Sequence, residues 1–177
     1  MTFAVPVVDI SSYVHDGTAE ERAATARAMD AFFGLPLEAK NAWRTPPEVN
    51  RGYSPPKSES LSLSLGVEAA SRMNDFFEAF NVGASQETYP HAPGLPQPDY
   101  AENTWPDVAG FEPAVEAWST EAARVARTLT RVFADSLGLE PDFFARLTGH
   151  SLDVLRMNNY ALPEGTVRLD EIGRAHV

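Results

Sequence analysis

The chain has no cysteine, which excludes a disulfide framework, a thiolate zinc site and a cysteine nucleophile together. Cations are scarce as well: 14 Lys and Arg stand against 25 Asp and Glu, a formal net charge of -11 with a pI near 4.7. No basic stripe is available for a phosphate backbone, so no nucleic-acid partner is expected, although one local Arg could still hold a small acidic ligand. Long apolar runs are also missing, and nothing approaches the ~20 residues that cross a bilayer. The opening MTFAVPVVDI meets Pro6 and Asp9 without a basic lead, unlike a secretory signal. The expectation is a cytoplasmic protein with no membrane partner.

What is present is enough for one ordinary domain: 177 residues, 44% hydrophobic and 10% aromatic. Residues 5–10 (VPVVDI) read as a first strand. Thr18 and Glu21 have the spacing of a capping box, so a helix is expected to start there and to run to Phe32 and Phe33, stopped by Gly34 and Pro36. Residues 36–43 add a helical turn or two. Residues 50–56 (NRGYSPP) read as a loop in which Gly52 and the prolines rule out regular structure. In 58–66, Leu61, Leu63 and Leu65 alternate with serines, as in a strand or extended loop.

Residues 73–82 (MNDFFEAFNV) read as a buried, strand-like aromatic segment. Its carboxylates, Asp75 and Glu78, are taken as surface acids, because acid–base work needs a pocket as well as spacing. Residues 85–98 carry Pro90, Pro93, Pro96 and Pro98 and read as a crossing loop with His91 in solvent. From Phe111, apolar residues recur at three- and four-residue steps through Val115, Trp118, Ala122, Val125, Leu129, Val132 and Leu137, which specifies a long amphipathic helix ended by Gly138. A short helix is expected over 140–147, with Pro141 in its first turn.

The segment 152–163 (LDVLRMNNYALP) reads as a strand, with Val154, Arg156, Asn158 and Tyr160 on one face and Leu155, Met157 and Asn159 on the other. Its polar face could line a pocket for a small anion. Alternatively, it simply stands in water.

Taken in order, VPVVDIS, AFFGLPLEAK, NRGYSPP, NDFFEAFNVG, ENTWPD, ADSLGLEPDFF and LRMNNYALPEG resemble the N-terminal half of the isopenicillin-N-synthase-like, 2-oxoglutarate- and Fe(II)-dependent dioxygenases. The resemblance implies an α+β fold in which helices pack on an incomplete double-stranded β-helix, or jelly-roll, core. Residues 1–170 would be an incomplete N-terminal region of such a non-haem dioxygenase. Arg51, Gly52 and Tyr53 match the family's Arg-Gly-Tyr loop, and the resemblance places Arg51 and Tyr53 in the substrate pocket. Asp75, Glu78, Phe80 and Gly83 match its Asp-x-Lys-Glu-x-Phe-x-x-Gly segment, with Phe77 standing where that pattern has Lys. Asn103, Trp105 and Pro106 match its Asn-x-Trp-Pro turn. Asn158 and Tyr160 match its Asn-x-Tyr-Pro strand, which implies 2-oxoglutarate binding by Tyr160 with Asn158 beside it; Ala161 replaces the Pro.

The departures carry as much information. Met29 and Asp30 run straight into 31–36 (AFFGLP), where the family places a strand, a Gly-His-Gly turn and a second helix, so an internal deletion is expected. The family's iron is held by His-x-Asp and a distant His, an arrangement that leaves open positions for cosubstrate and dioxygen. None of the four histidines, His15, His91, His150 and His176, has Asp or Glu two residues on, and His150 and Asp153 fall on opposite faces of a strand. The Arg-x-Ser clamp for the 2-oxoglutarate carboxylate is absent too. Residues 171–177 (EIGRAHV) match the translation of a common sequencing adapter and read as a foreign tail, the alternative being a natural C-terminus.

The expectation is therefore the N-terminal fragment of an oxidoreductase that hydroxylates, desaturates or cyclises a small molecule. Fe(II) and 2-oxoglutarate would be used by the intact enzyme and not bound by this chain, which would be inactive and prone to self-association through open sheet edges. The alternative is a non-catalytic module that binds a small ligand or a protein.

Overall fold

A computed structural model describes residues 19–46, 48–56, 58 and 77–160, with the side chains of 19–22 left aside. Helix α1 spans Ala19–Phe33. Its Ala-rich sequence favours helix intrinsically, and its buried positions Thr25, Ala28 and Phe32 recur at the spacing of one helix face. A five-residue helix, α2, follows at Leu37–Asn41 behind Pro36. The long helix α3 spans Phe111–Ser136 and ends in a Schellman motif: the amide of Leu139 reaches the Ala134 carbonyl and that of Gly138 reaches Asp135, with Gly138 at φ 67°. Helices α1 and α3 pack together, and Thr25 donates its hydroxyl to the Ala114 carbonyl at 3.0 Å.

Three antiparallel strands form one sheet in the order β1 (Gly52–Ser54), β2 (Glu78–Gly83), β3 (Val154–Asn159). The register pairs Tyr53 with Phe80 and Phe80 with Met157. Side chains alternate along a strand, so these three share a face, and that face meets the helices. The core there is aromatic. Phe32 lies 4.9 Å from Phe80, 5.4 Å from Phe111 and 5.8 Å from Tyr53, ring centre to ring centre, and Val82, Val115 and Ala28 fill around it.

The expected α+β class and the three helical segments are seen, and so is the strand at 154–159 with its two faces. Other expectations change. The 50–56 segment is not irregular throughout, because Gly52–Ser54 pairs with β2; the long-range partner strand overrides the local turn signals. The helix expected over 140–147 is only a set of turns ending in a 3-10 turn at Ala145–Leu147. So short and exposed a piece has no packed face to offset the nucleation cost. The apolar stripe of α3 is covered at Phe111 and Val115, whereas Leu129, Phe133 and Leu137 are 40%, 60% and 64% exposed. The outer side of β3 has no paired strand among the described residues, the geometry on which the expectation of self-association rests. The expectations for 5–10, 59–66 and 171–177, the Thr18–Glu21 capping pair and Asp75 lie outside the described residues.

Candidate functional site

Glu78 opens β2 on the same face as Phe80 and Val82, so alternation carries its carboxylate inward. It is 6% exposed, which corrects the reading of a surface acid. Its Oε1 accepts from Lys40 Nζ at 2.9 Å and from Asn159 Nδ2 at 2.9 Å. Its Oε2 accepts from Lys40 Nζ at 2.7 Å and from the Tyr53 hydroxyl. Lys40 also donates to the Phe33 carbonyl at 2.9 Å, satisfying an otherwise unpaired group at the end of α1, and lies 5.7 Å from the Tyr53 ring centre. One buried carboxylate thus ties α2, β1, β2 and β3 together, and its lysine ties in α1. Sequence spacing does not announce Lys40 as the partner, since it lies 38 residues from Glu78.

Burial, and then the bond to Glu78, raise the pKa of the Tyr53 hydroxyl above its ordinary value of 10.0. A raised folded-state pKa means stability that is complete below pH ~10 and is lost as pH climbs beyond it. Alkaline unfolding is therefore expected to coincide with Tyr53 ionisation. In an absorbance titration of tyrosinate followed beside circular dichroism, one of the five tyrosines ionises only as the fold is lost, and Tyr53→Phe removes that coupling. Ionisation of all five before any unfolding would refute it.

A second network fixes the end of the sheet. The Asn103 side chain acts as a stand-in for a strand, accepting from the Gly83 amide at 2.8 Å and donating to its carbonyl at 3.0 Å. Arg51, 3% exposed, donates to the carbonyls of Asn50, Ala84 and Asp99 at 2.8, 2.7 and 2.9 Å. Burial pushes its pKa down, while the Glu102 and Asp99 carboxylates push it back up. The guanidinium lies directly over Gly83, where a Cβ would stand 2.6 Å from Arg51 Cζ. Any side chain there would have to displace the guanidinium from its carbonyl partners.

The loop after β2 holds the chain that leads into β3. Tyr100 donates to the His150 carbonyl at 2.7 Å and Tyr89 to that of Ser151 at 3.0 Å. His91 Nε2 lies 2.9 Å from the Gly149 carbonyl, and since a carbonyl only accepts, that nitrogen carries the proton. His91 is exposed as expected, yet it is tethered rather than free in solvent.

The other face of β3 is where Asn158 and Tyr160 stand, Asn158 exposed and Tyr160 58% exposed. Arg156 donates Nε–H to Asn158 Oδ1 at 3.0 Å, and its guanidinium lies 5.2 Å from the centre of the Phe77 ring. Phe77 and Tyr160 are 5.5 Å apart. The face is rich in donors. Arg156 occupies the acceptor oxygen of Asn158, leaving the Nδ2 hydrogens and the Tyr160 hydroxyl beside a guanidinium, a set suited to a carboxylate. The four residues singled out from the sequence do not form one surface: Asn158 and Tyr160 share this face, whereas Arg51 and Tyr53, each 3% exposed, bond to interior partners.

Among the described residues no group of three or more His, Cys, Asp or Glu could hold a metal ion. They therefore do not fit the two-histidine, one-carboxylate site of a non-haem iron.

The sequence pattern described as non-haem dioxygenase in morphine synthesis, N-terminal, matches residues 12–108. An azadirone synthase of Melia azedarach is 34% identical over 121 residues, covering 65% of this chain and 33% of that protein. A 2-oxoglutarate-Fe(II) type oxidoreductase of Metarhizium majus is 30% identical over 156 residues, covering 79% and 44%. Among solved structures, a full-length Neurospora crassa protein in complex with alpha-KG has TM-score 0.59 and 26% identity over 81% of this chain and 41% of its own. A 2OG-Fe(II) oxygenase family protein from Caulobacter crescentus has TM-score 0.63 at 24% identity, over 81% and 44%. The chain thus spans less than half the length of these relatives. With an N-terminal pattern matched over 97 of its residues and the helix-on-sheet arrangement of such oxygenases, the chain belongs to the 2-oxoglutarate- and Fe(II)-dependent dioxygenases, corresponding to the N-terminal part of its relatives.

Proposed function

We propose that this chain is the cosubstrate-facing N-terminal portion of an Fe(II)- and 2-oxoglutarate-dependent oxidoreductase that hydroxylates, desaturates or closes a ring on a small molecule. The observation that carries the reading is the donor-rich face of β3, where Arg156 bonds to Asn158 and Phe77 contacts both Arg156 and Tyr160. A 2-oxoglutarate carboxylate would accept from the Tyr160 hydroxyl and the Asn158 amide. Arg51 and Tyr53 act one layer behind, holding β1 and the loop after β2 in place. The jelly-roll expected from the family would extend from the outer edge of β3. Support for a small-molecule substrate comes from the Neurospora crassa protein, which has also been solved with alpha-KG and 5-formyluracil. Because the described residues do not fit iron, no oxidative step is assigned to them.

Two measurements on the 177-residue chain test this. The exposed donors at Asn158 and Tyr160 revise the expectation of no binding by this chain to one of residual binding. In an NMR titration, 2-oxoglutarate is expected to shift the Asn158 side-chain amide and the Tyr160 ring with weak, millimolar-range affinity, and Tyr160→Phe to weaken the response. No response at either group would overturn the cosubstrate assignment. With Fe(II) and ascorbate, succinate formation is expected not to exceed that of the Tyr160→Phe control; turnover above it would overturn the reading that iron chemistry lies outside these residues. A non-catalytic binding module is the second reading. The exposed ridge of Leu129, Phe133 and Leu137 favours it, and it predicts no 2-oxoglutarate response at all.

A further inference from the structure

Phe77 is one of the positions at which this chain departs from the family pattern it resembles, with an aromatic in place of Lys. It immediately precedes β2 and has the parity of Ala79 and Asn81, so it stands on the face away from the core. The register pairs Asn81 with Arg156 and Ala79 with Asn158. Arg156 must therefore run back along this face, past the Ala79–Asn158 pair, to bring its guanidinium to 5.2 Å from the Phe77 ring centre. On the way its Nε–H is delivered to Asn158 Oδ1 at 3.0 Å. The same ring also meets Tyr160, at 5.5 Å and 52°.

We propose that Phe77 is a positioning residue: its ring contacts Arg156 and Tyr160, and through Arg156 it helps to orient Asn158, shaping one carboxylate-binding face. A guanidinium is drawn to an aromatic face by the ring quadrupole, and the tilted ring pair with Tyr160 adds to this. A lysine at position 77 would do the reverse. Two like charges would meet on the face, Arg156 would be pushed from its ring, and Asn158 would lose the bond that orients its amide. The assignment rests on the proposed cosubstrate face for its purpose, though not for its geometry.

The geometry can be read without any ligand. In the wild-type chain the Arg156 Nε–H resonance is expected to be ring-shifted and protected from solvent exchange. Phe77→Leu should speed that exchange by about two- to five-fold, the factor corresponding to an exposed cation–π contact. Phe77→Trp should preserve the protection, and Phe77→Lys should abolish it further than Leu does. Amide resonances of Phe80 and Met157 in the core serve as the folding control. Equal Arg156 exchange in wild type and Phe77→Leu, or equal behaviour of the Lys and Trp variants, would overturn the proposal. Adding 2-oxoglutarate separates the two claims. A protected Arg156 with no 2-oxoglutarate shift at Asn158 supports the positioning role and sinks the cosubstrate reading, whereas a shift that is identical in all four proteins sinks the positioning role alone.

Discussion

Glu78→Gln is expected to lower the unfolding free energy by about 3–5 kcal/mol, the range for leaving one partner of a buried ion pair without its counter-charge. The substitution keeps the shape and removes the chemistry. Every group around the carboxylate is a donor: Lys40 Nζ to both oxygens, Tyr53 Oη and Asn159 Nδ2. A carboxylate is acceptor-only and can take all four bonds, but an amide has a single acceptor oxygen and would turn its own NH2 toward donors. It would also leave the Lys40 ammonium, 7% exposed, without an anion. Lys40→Met is expected to be of similar size. The double variant should lose clearly less than the sum of the two, because each single change has already broken the shared pair. Urea midpoints measured on the four proteins give the cycle. Strict additivity would mean that the pair is not coupled as drawn. Added salt should hardly alter the Glu78 effect, since a buried pair is poorly screened, in contrast to the half-exposed Glu121–Arg124 pair on α3.

Much of this arrangement is legible in the chain, and the unread part has a common physical cause. Helix α1 announces itself through its Ala-rich run and the stop at Gly34, and α3 through a 3.6-residue apolar period and the stop at Gly138, all of which are local signals. The faces of β3 follow from a period of two: Met157 enters the core and Asn158 does not. What local signals cannot supply is the partner across the sheet. Gly52 and two prolines in 50–56 read as a loop until β2 arrives to pair with Tyr53. Glu78 reads as a surface acid until Lys40 is brought to it from α2. Phe77 reads only as an aromatic standing where the pattern has Lys until Arg156 is laid over it. In each case the chemistry was visible and its counterpart lay tens of residues away. The family resemblance names Asn158 and Tyr160 because those two sit together in one strand. It does not reveal that Arg51 and Tyr53 lie a layer deeper.

Gly52→Ala should be the most damaging small substitution in the described chain, with an expected loss of about 3–5 kcal/mol, in the range that marks a named backbone or packing defect. Two effects combine. Gly52 has φ 72°, where any side chain costs about 1–2 kcal/mol. A Cβ would also stand 2.4 Å from the Trp43 carbonyl oxygen and 2.9 Å from Thr104 Oγ1. The Trp43 carbonyl accepts the Tyr53 amide at 2.9 Å, so the methyl group would break the bond that docks β1. Displacing β1 would pull the Tyr53 hydroxyl off Glu78. Gly138→Ala isolates the first effect, because Gly138 has nearly the same φ, 67°, with nothing within 4 Å of a Cβ. Its loss is expected to be only the conformational ~1 kcal/mol. The difference between the two urea midpoints therefore measures the close approach of β1 to the turn after α2. Equal losses would mean that the Arg-Gly-Tyr segment does not pack as described, and with it would go the route by which β1 supports the ionic hub and, through Asn159, the strand that carries Asn158 and Tyr160.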